Sequence, residues 1–394
     1  MNKKFLTLLT TGAAIFALAS CAKTGKDGVY NEYDFRGTGY LENDYFALKN
    51  MFYNLKVGES KTIEVETFPA SYAANSLEYI SNDPSVVSVD ASGKLTGVGK
   101  GIADVTVKAK DESIVGKVRV AVSEKVSASA AQSVIDNINE GYAEGYVAPR
   151  KCIKYEYSYE IYSKEGVRDH GMENYEAMAF DMDTGYFKYV GPSLYLKTAH
   201  GTPEVLDGSW IFYPINYGLF TRLIHITPTK KNYFDINTAA YEGDYDRIIK
   251  DILNFFFVSG EEIASDLIDY FDGKDNFESI SSYSATSFYT VDENSLVMSL
   301  SEKDSDVVEA KDELKSFDIP TDTVYNYVFN ETVLHSNNRM RAMNIDMVMS
   351  YKLGEENWTR EFGRFELYDD EFDQSKIQNP KDNGFISVDS IYDL

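Results

Sequence analysis

The chain has 394 residues, of which 38 are Lys or Arg and 63 are Asp or Glu, so its formal net charge at pH 7 is -25. A surface this acidic repels phosphate backbones and anionic lipid head groups, which argues against nucleic acid as a partner. Hydrophobic residues make up 43% of the chain, enough for a sizeable core, and its length exceeds the roughly 100 to 200 residues of one domain.

The first twenty residues have the layout of a secretory signal peptide. Lys3 and Lys4 precede an uncharged run over residues 5–18, followed by small residues and Cys21. The run is too short for a membrane-spanning helix, which needs about 20 apolar residues. We therefore predict that residues 1–20 are a signal peptide. The alternatives are an ordinary signal peptide with a chance cysteine, or a buried N-terminal helix.

The sequence Leu-Ala-Ser-Cys that ends at Cys21 resembles the lipobox of bacterial lipoprotein signals. The resemblance implies that Cys21 is lipidated and becomes the first mature residue, held by at least two acyl chains such as palmitate, which suffice for a stable anchor. The expected location is the extracytoplasmic face of the cell membrane. Lipidation would leave Cys152 as the remaining cysteine, so the mature chain would have no intramolecular disulfide.

Residues 21–45 show no sustained period, and we interpret them as a tether. From 46 to 124 the pattern changes to short alternating runs separated by turn residues, which predicts a small antiparallel β-sandwich. The sandwich segment contains Leu55, Val57 and Gly58, the run SNDPSVVSV at 81–89, GKLTGV at 93–98, and Gly101, Ala103, Val105 and Thr106.

This ordered set resembles the bacterial immunoglobulin-like group 2 domain, called Big2, with Tyr79 at a position where family members commonly have tryptophan. Big2 domains belong to bacterial surface proteins, including adhesins related to invasin and intimin. The resemblance therefore implies either adhesion to a neighbouring cell or a rigid stalk. With one copy and no exposed apolar run, we favour the stalk.

A second, larger domain is predicted over residues 127–394. It begins with a helix over 127–144, capped by Ser127 or Ser129 and ended by Gly141 or Gly145. Long alternating runs from 151 to 370 then predict an antiparallel sheet, interrupted by helices over 244–257, 261–271 and 306–317.

This order of elements is similar to that of the periplasmic lipoprotein-carrier and mycobacterial lipoprotein group. The resemblance implies an α+β domain with a curved antiparallel sheet, an open half-barrel with inserted helices, whose cavity holds acyl chains. The predicted fold class is thus mainly β, with an immunoglobulin-like sandwich followed by this domain.

Motifs for catalysis or metal binding are not found. The histidines His170, His200, His225 and His335 are far apart in sequence, and neither a Gly-x-Ser-x-Gly elbow nor a phosphate-binding glycine loop occurs. Asp181 and Asp183 precede Gly185, but we interpret them as a turn between strands rather than a calcium loop. The acidic cluster over 369–373 is interpreted as the solvated end of a strand. We predict no catalytic residues, no metal and no cofactor.

Aromatic residues, among them 30 Tyr and 23 Phe, are the remaining candidates for ligand contact. The ligand-lining residues that we predict are Trp210, Phe212 and Tyr213 on one strand and Phe255, Phe256 and Phe257 on an inserted helix. The first hypothesis is a non-catalytic surface lipoprotein whose Big2 stalk presents a domain that binds an apolar or lipid-like ligand. The alternatives are an adhesion or glycan-binding protein with a tyrosine-rich contact sheet, and a degradative enzyme with an unrecognised carboxylate site.

Overall fold

The computed structural model describes most of the chain from residue 45 onwards. The residues described are 45–68, 77–109, 115–143, 151–181, 186–197, 203–214, 220–226, 231–237, 247, 274–304, 323–337, 339–368, 384–389 and 393. The predicted signal peptide and tether, and the helices predicted over 244–257, 261–271 and 306–317, lie outside these residues, apart from Tyr45 and the helical Arg247.

The N-terminal part folds as an immunoglobulin-like sandwich of short strands. Its strands are β1 (Tyr45–Leu48), β2 (Phe52–Leu55), β3 (Ser60–Thr62), β4 (Val65–Phe68), β5 (Leu77–Ser81), β6 (Val87–Val89), β7 (Lys94–Gly97), β8 (Gly101–Ala109) and β9 (Val115–Val122). A four-stranded sheet has the order β2-β9-β8-β5 and a three-stranded sheet the order β3-β7-β6, while β1 pairs with β4. The predicted sandwich is confirmed.

Alternation along the strands explains how this sandwich closes. Leu95, Val105, Val107, Val118 and Val120 are fully buried, because every second residue of a strand points to the space between the sheets. Their burial provides the apolar contact that holds the two sheets together.

Tyr79, which stands where Big2 domains commonly have tryptophan, packs against this core. Its ring lies over the Gly93 turn, where a Cβ atom would come within 2.9 Å of the ring and where φ is +78°. Glycine is suited to this turn both because it allows the positive φ and because it leaves room for the tyrosine.

The C-terminal part is built on one large sheet with two described helices. The elements are β10 (Glu124–Val126), α1 (Ala128–Ala143), β11 (Lys151–Lys164), β12 (Val167–Asp181), β13 (Tyr186–Lys197), β14 (Pro203–Pro214), β15 (Phe220–Ile226), β16 (Lys231–Asn237), α2 (Lys274–Ser282), β17 (Ser287–Asp292), β18 (Ser295–Asp304), β19 (Thr323–Ser336), β20 (Arg339–Leu353), β21 (Glu356–Leu367) and β22 (Ile386–Ser387). Neither helix has the length and apolar character needed to cross a membrane.

The large sheet has 13 strands in the order β10-β17-β18-β19-β20-β21-β11-β12-β13-β14-β15-β16-β22. Neighbouring strands are antiparallel except β16 and β22, which are parallel. The order is open, with β10 and β22 at its edges, so the predicted antiparallel and unclosed sheet is confirmed. Asp181 pairs with Tyr186, and the predicted turn between them lies outside the described residues.

Helix α1 begins as predicted. The Ser127 hydroxyl accepts a hydrogen bond from the Ala130 backbone N–H, which satisfies one of the free donors at the helix start. Ala131 and Ile138 are fully buried, and α1 packs against β17 and β18. Of the two glycines predicted to end the helix, Gly141 does not, because α1 continues to Ala143, and Gly145 lies outside the described residues.

Three elements differ from the sequence-based prediction. Helix α2 begins at Lys274, shortly after the end of the helix predicted over 261–271, and was not predicted. Strand β16 was not predicted. The separate alternating runs FKYV and LYLKT predict two strands, but β13 is one strand with a register shift between Gly191 and Leu194. Helix α2 has just two apolar residues, Phe277 and Ile280, both fully buried, so its apolar face is too short to establish a repeating pattern in the sequence.

Candidate functional site

The predicted aromatic residues of the first group all lie on β14. Backbone register aligns this strand with its neighbours in two cross-strand rows. One row contains Phe180, Phe187, Phe212, Leu223 and Phe234, and the other contains Met178, Tyr189, Trp210, His225 and Asn232. Tyr213 is paired with Arg222 at the next position of the strand. Sheet pairing thus brings Trp210 and Phe212 into register with aromatic residues that are distant in sequence.

The other predicted site residues lie outside the described part of the chain. These are the lipidation site Cys21 and the aromatic residues Phe255, Phe256 and Phe257. The acidic residues 369–373 and His200 also lie outside it. The predictions that concern these residues therefore stay predictions.

Among the histidines, His335 is the one whose side-chain surroundings the structure describes, and its role is structural. It is fully buried, its Nδ1 atom lies 3.4 Å from the Tyr142 hydroxyl, and its ring meets the edge of Phe277 at a centroid distance of 4.9 Å. Burial lowers the pKa of His335 to about 3, so the ring stays neutral at physiological pH. Among the residues that the structure describes, no group of three or more His, Cys, Asp or Glu side chains is placed to hold a metal ion.

A cluster of four buried charges, which sequence reasoning did not find, lies on the neighbouring strands β11 and β21. It consists of Lys154, Glu156, Arg364 and Glu366, and we call it the buried quartet. The Lys154 ammonium lies 2.7 Å from Glu156 and 3.0 Å from Glu366, and the Arg364 guanidinium lies 3.1 Å from Glu156 and also contacts Glu366. Because all four side chains are at most 7% exposed, two cations and two carboxylates neutralise one another in the interior.

The pKa values of the two carboxyl groups of the quartet are shifted in opposite directions. Burial raises the pKa of Glu156, but the charges of Arg364 and Lys154 together outweigh burial and lower it to about 2. Burial dominates for Glu366 and raises its pKa, with the neighbouring Glu156 charge acting in the same direction. Glu156 is therefore the carboxylate that the two cations hold ionised.

The register between β11 and β21 explains how the four charges of the quartet come together. Glu156 and Glu366 are directly opposite in the β11–β21 register, and Arg364 lies opposite Ser158. The charges therefore meet only in this register, because a shift of one residue would move every side chain to the other face. The signal in the sequence was a Lys-x-Glu and an Arg-x-Glu in two predicted strands, but pairing of β11 with the distant β21 was needed to bring them together.

A second unpredicted feature is the contact between the immunoglobulin-like domain and the large sheet. Arg119 on β9 is 2% exposed, although its place in the alternating run GKVRVAV predicts a solvent-facing side chain. Its Nε and Nη2 atoms donate hydrogen bonds to Asp104 on β8, at 2.8 and 3.0 Å. Its Nη1 atom donates to the backbone carbonyls of Arg341 and Tyr368, at 2.9 and 2.6 Å.

Further contacts along the same interface involve β20 and β21. The Asn344 side-chain amide donates a hydrogen bond to the Phe52 carbonyl at 2.8 Å. Nearby, the Tyr159 ring crosses Gly363, where a Cβ atom would lie 2.0 Å from the ring, and its hydroxyl reaches Asp346 at 3.5 Å. A side chain at position 363 would block this crossing, which explains the glycine there.

One comparison with known proteins identifies the N-terminal domain. Residues 48–122 match the family model of the bacterial Ig-like domain (group 2), which confirms the predicted Big2 resemblance. No curated protein matches the sequence significantly.

Two solved structures are similar to parts of the chain. One is an intimin mutant of EHEC O157:H7, with 14% identity, 26% of this chain and 66% of that chain covered, and a TM-score of 0.16. The other is domains 5-6 of the S-layer protein SbsC, with 14% identity, 50% of this chain and 98% of that chain covered, and a TM-score of 0.17. Both TM-scores are too low to support an argument about the arrangement of the whole chain.

Proposed function

We propose that the protein is a non-catalytic bacterial surface lipoprotein, anchored through Cys21, in which the immunoglobulin-like domain holds the large sheet domain at the cell surface. The observation that carries this proposal is the Big2 domain at residues 48–122, which is a domain class of bacterial surface proteins. The signal-like N-terminus and the cysteine that follows it support the membrane anchor.

The electrostatics of the described residues support a binding or structural role rather than catalysis. Two described buried sites show this: the quartet side chains are held in ion pairs, and His335 is held neutral. A general acid or base needs a pKa near the working pH and access to substrate, and a pKa of about 2 or about 3 in a buried group provides neither.

Replacing Cys21 tests the anchor directly. In the bacterium that makes the protein, we expect the wild type in the membrane fraction and labelled by radioactive palmitate. Cys21→Ser should lose the label and move to a soluble fraction, because no acyl chain can attach to serine at this site. Cys152→Ser is the matched control and should keep both label and location. A Cys21→Ser protein that stays membrane-bound would contradict the proposal.

For the sheet domain we propose a ligand that is apolar or lipid-like. The aromatic rows across β12 to β16 support this proposal, since Trp210 and Phe212 share them with Phe187 and Tyr189. Aromatic residues gathered on one part of a sheet are typical of a surface or cavity that takes up apolar groups. A tyrosine-rich sheet that contacts glycans or a neighbouring cell is the alternative.

Native mass spectrometry of the chain after gentle extraction distinguishes these two ligands. If the domain carries a lipid, we expect a lipid to co-purify with the wild type. The exposed-face variant Lys125→Ala should retain this lipid, and Trp210→Ala should lose it. Binding to immobilised glycans with no bound lipid would overturn carriage and favour adhesion. Palmitate attached to Cys21 is distinguished from a bound lipid because it survives denaturation.

A further inference from the structure

The outer face of the β2-β9-β8 sheet is not free surface. Strand β9 is buried on both sides: Val118, Val120 and Val122 face the sandwich core, and Arg119 and Ala121 on the opposite side are equally buried. A strand at the surface of an isolated immunoglobulin-like domain would have one solvated face. The cover is the large sheet, since β2 contacts β20 and β21, and β8 contacts β17.

The contact between the two domains has an apolar part and a polar part. Phe365, Leu367 and Ala342 of the large sheet belong to the same buried cluster as the core of the immunoglobulin-like domain. Arg119 adds two hydrogen bonds to backbone carbonyls at the ends of β20 and β21, and Asn344 adds one to the backbone of β2. Because backbone carbonyls hold their positions as long as the sheet is folded, these hydrogen bonds depend on the contact between the two domains.

Asp104 fixes the guanidinium of Arg119 in the required orientation. Its two carboxylate oxygens accept a fork of two hydrogen bonds, which leaves Nη1 directed at the large sheet. Burial raises the pKa of Asp104, but the hydrogen bond and charge of Arg119 outweigh it and the pKa is lowered overall. Asp104 thus remains ionised and compensates the buried charge of Arg119.

The connection between the domains contains no free hinge. Ser123 donates its N–H to the Leu55 carbonyl and its hydroxyl to Asn54. The next residues form β10, which pairs with β17 in the large sheet, and Ser127 then caps α1. Every residue from the last strand of the sandwich to the first helix of the next domain is therefore held by regular contacts.

From these contacts we infer that the immunoglobulin-like domain and the large sheet unfold as one cooperative unit, with Arg119 as the clamp between them. The domain is then part of a rigid head rather than a spacer that moves independently. A surface partner would be limited to faces other than the outer side of β2, β9 and β8. This inference does not depend on the membrane anchor and stands or falls separately from the proposed function.

Hydrogen exchange of the detergent-solubilised full chain, measured by mass spectrometry at increasing urea, tests the inference. Peptides from β8–β9 and from β20–β21 should show the same opening free energy and the same urea dependence in the wild type. In Arg119→Met, exchange in β8–β9 should become at least about tenfold faster than in β20–β21. Asn344→Ala should cause a smaller divergence of the same kind without leaving an unpaired charge.

Lys100→Met is the matched control, because Lys100 forms an exposed ion pair with Glu124 close to the same connection. We expect no divergence between the two sets of peptides in this variant. Different opening free energies in the wild type would overturn the cooperative unit, even if every variant failed to fold. If the two sets of peptides kept equal opening free energies in both Arg119→Met and Asn344→Ala, the role of Arg119 as the clamp would be overturned.

Discussion

Glu156→Ala is expected to lower the free energy of unfolding by about 3–5 kcal/mol, because it leaves Arg364 and Lys154 with one carboxylate for two buried positive charges. Removing one partner of a buried ion pair is costly since the remaining charge keeps its desolvation penalty but loses its compensation. Urea unfolding followed by tryptophan fluorescence measures this loss, as Trp210 and Trp358 both lie on strands of the large sheet.

The same two strands provide a matched control. Lys164 on β11 and Glu356 on β21 also form an ion pair, but their side chains are 39% and 45% exposed. Glu356→Ala should therefore cost less than about 1 kcal/mol, the usual range for a solvated pair. Equal losses in Glu156→Ala and Glu356→Ala would contradict the description of the quartet as buried and mutually compensating.

The pH dependence of the stability lost on replacing Glu156 tests whether that loss is electrostatic. The pKa of Glu156 is lowered in the folded protein, so its ionised form contributes stability that is complete above its ordinary pKa of 4.5 and is lost as the pH falls towards about 2. The difference in unfolding free energy between the wild type and Glu156→Gln should shrink over this interval. A difference that does not change with pH would contradict the assignment.

Phe277→Ala is expected to cost about 3–5 kcal/mol, because the side chain is fully buried and its removal leaves a cavity that rigid neighbours cannot fill. Phe277 joins three elements: its ring lies 6.0 Å from that of Tyr142 on α1 and 4.9 Å from that of His335 on β19. The variant should therefore loosen both helices from the sheet, which faster hydrogen exchange in α1 would reveal alongside the shift in urea midpoint.

The control for this substitution lies next to it on the same helix. Glu278 is exposed, and Glu278→Gln should change stability by no more than about 0.5 kcal/mol. Phe277→Leu, which keeps most of the apolar volume, should fall between the two. A loss below about 1 kcal/mol in Phe277→Ala would mean that α2 does not hold α1 and the sheet together.

Local patterns were sufficient for much of the fold. Alternating runs predicted strands such as β11, β20 and β21, and the ordered glycines and valines of residues 55–106 identified the immunoglobulin-like domain. Helix α1 was predicted from its Ser127 cap and its apolar spacing. Strand β16 and helix α2 were missed, and α2 has just two fully buried apolar residues to mark its face.

The candidate sites were less accessible to sequence reasoning. Arg119 occupies a polar position of an alternating strand, and nothing in that strand indicates that a second sheet covers it. Lys154 and Glu366 are more than two hundred positions apart, so their contact depends on β11 pairing with β21. Trp210, Phe212 and Tyr213 were predicted together on one strand, but the alignment of Trp210 with Tyr189 and of Phe212 with Phe187 depends on strand register.

The sequence by itself determined most of the described strands, helix α1, the domain class of residues 48–122 and the acidic balance of the chain, because these depend on residues that are neighbours along the backbone. Tertiary structure alone decided that Arg119 is a buried clamp, that four charges compensate one another between β11 and β21, and that the immunoglobulin-like domain is docked. The physical reason is that alternation shows which side chains share a face of a strand, whereas burial depends on what packs against that face.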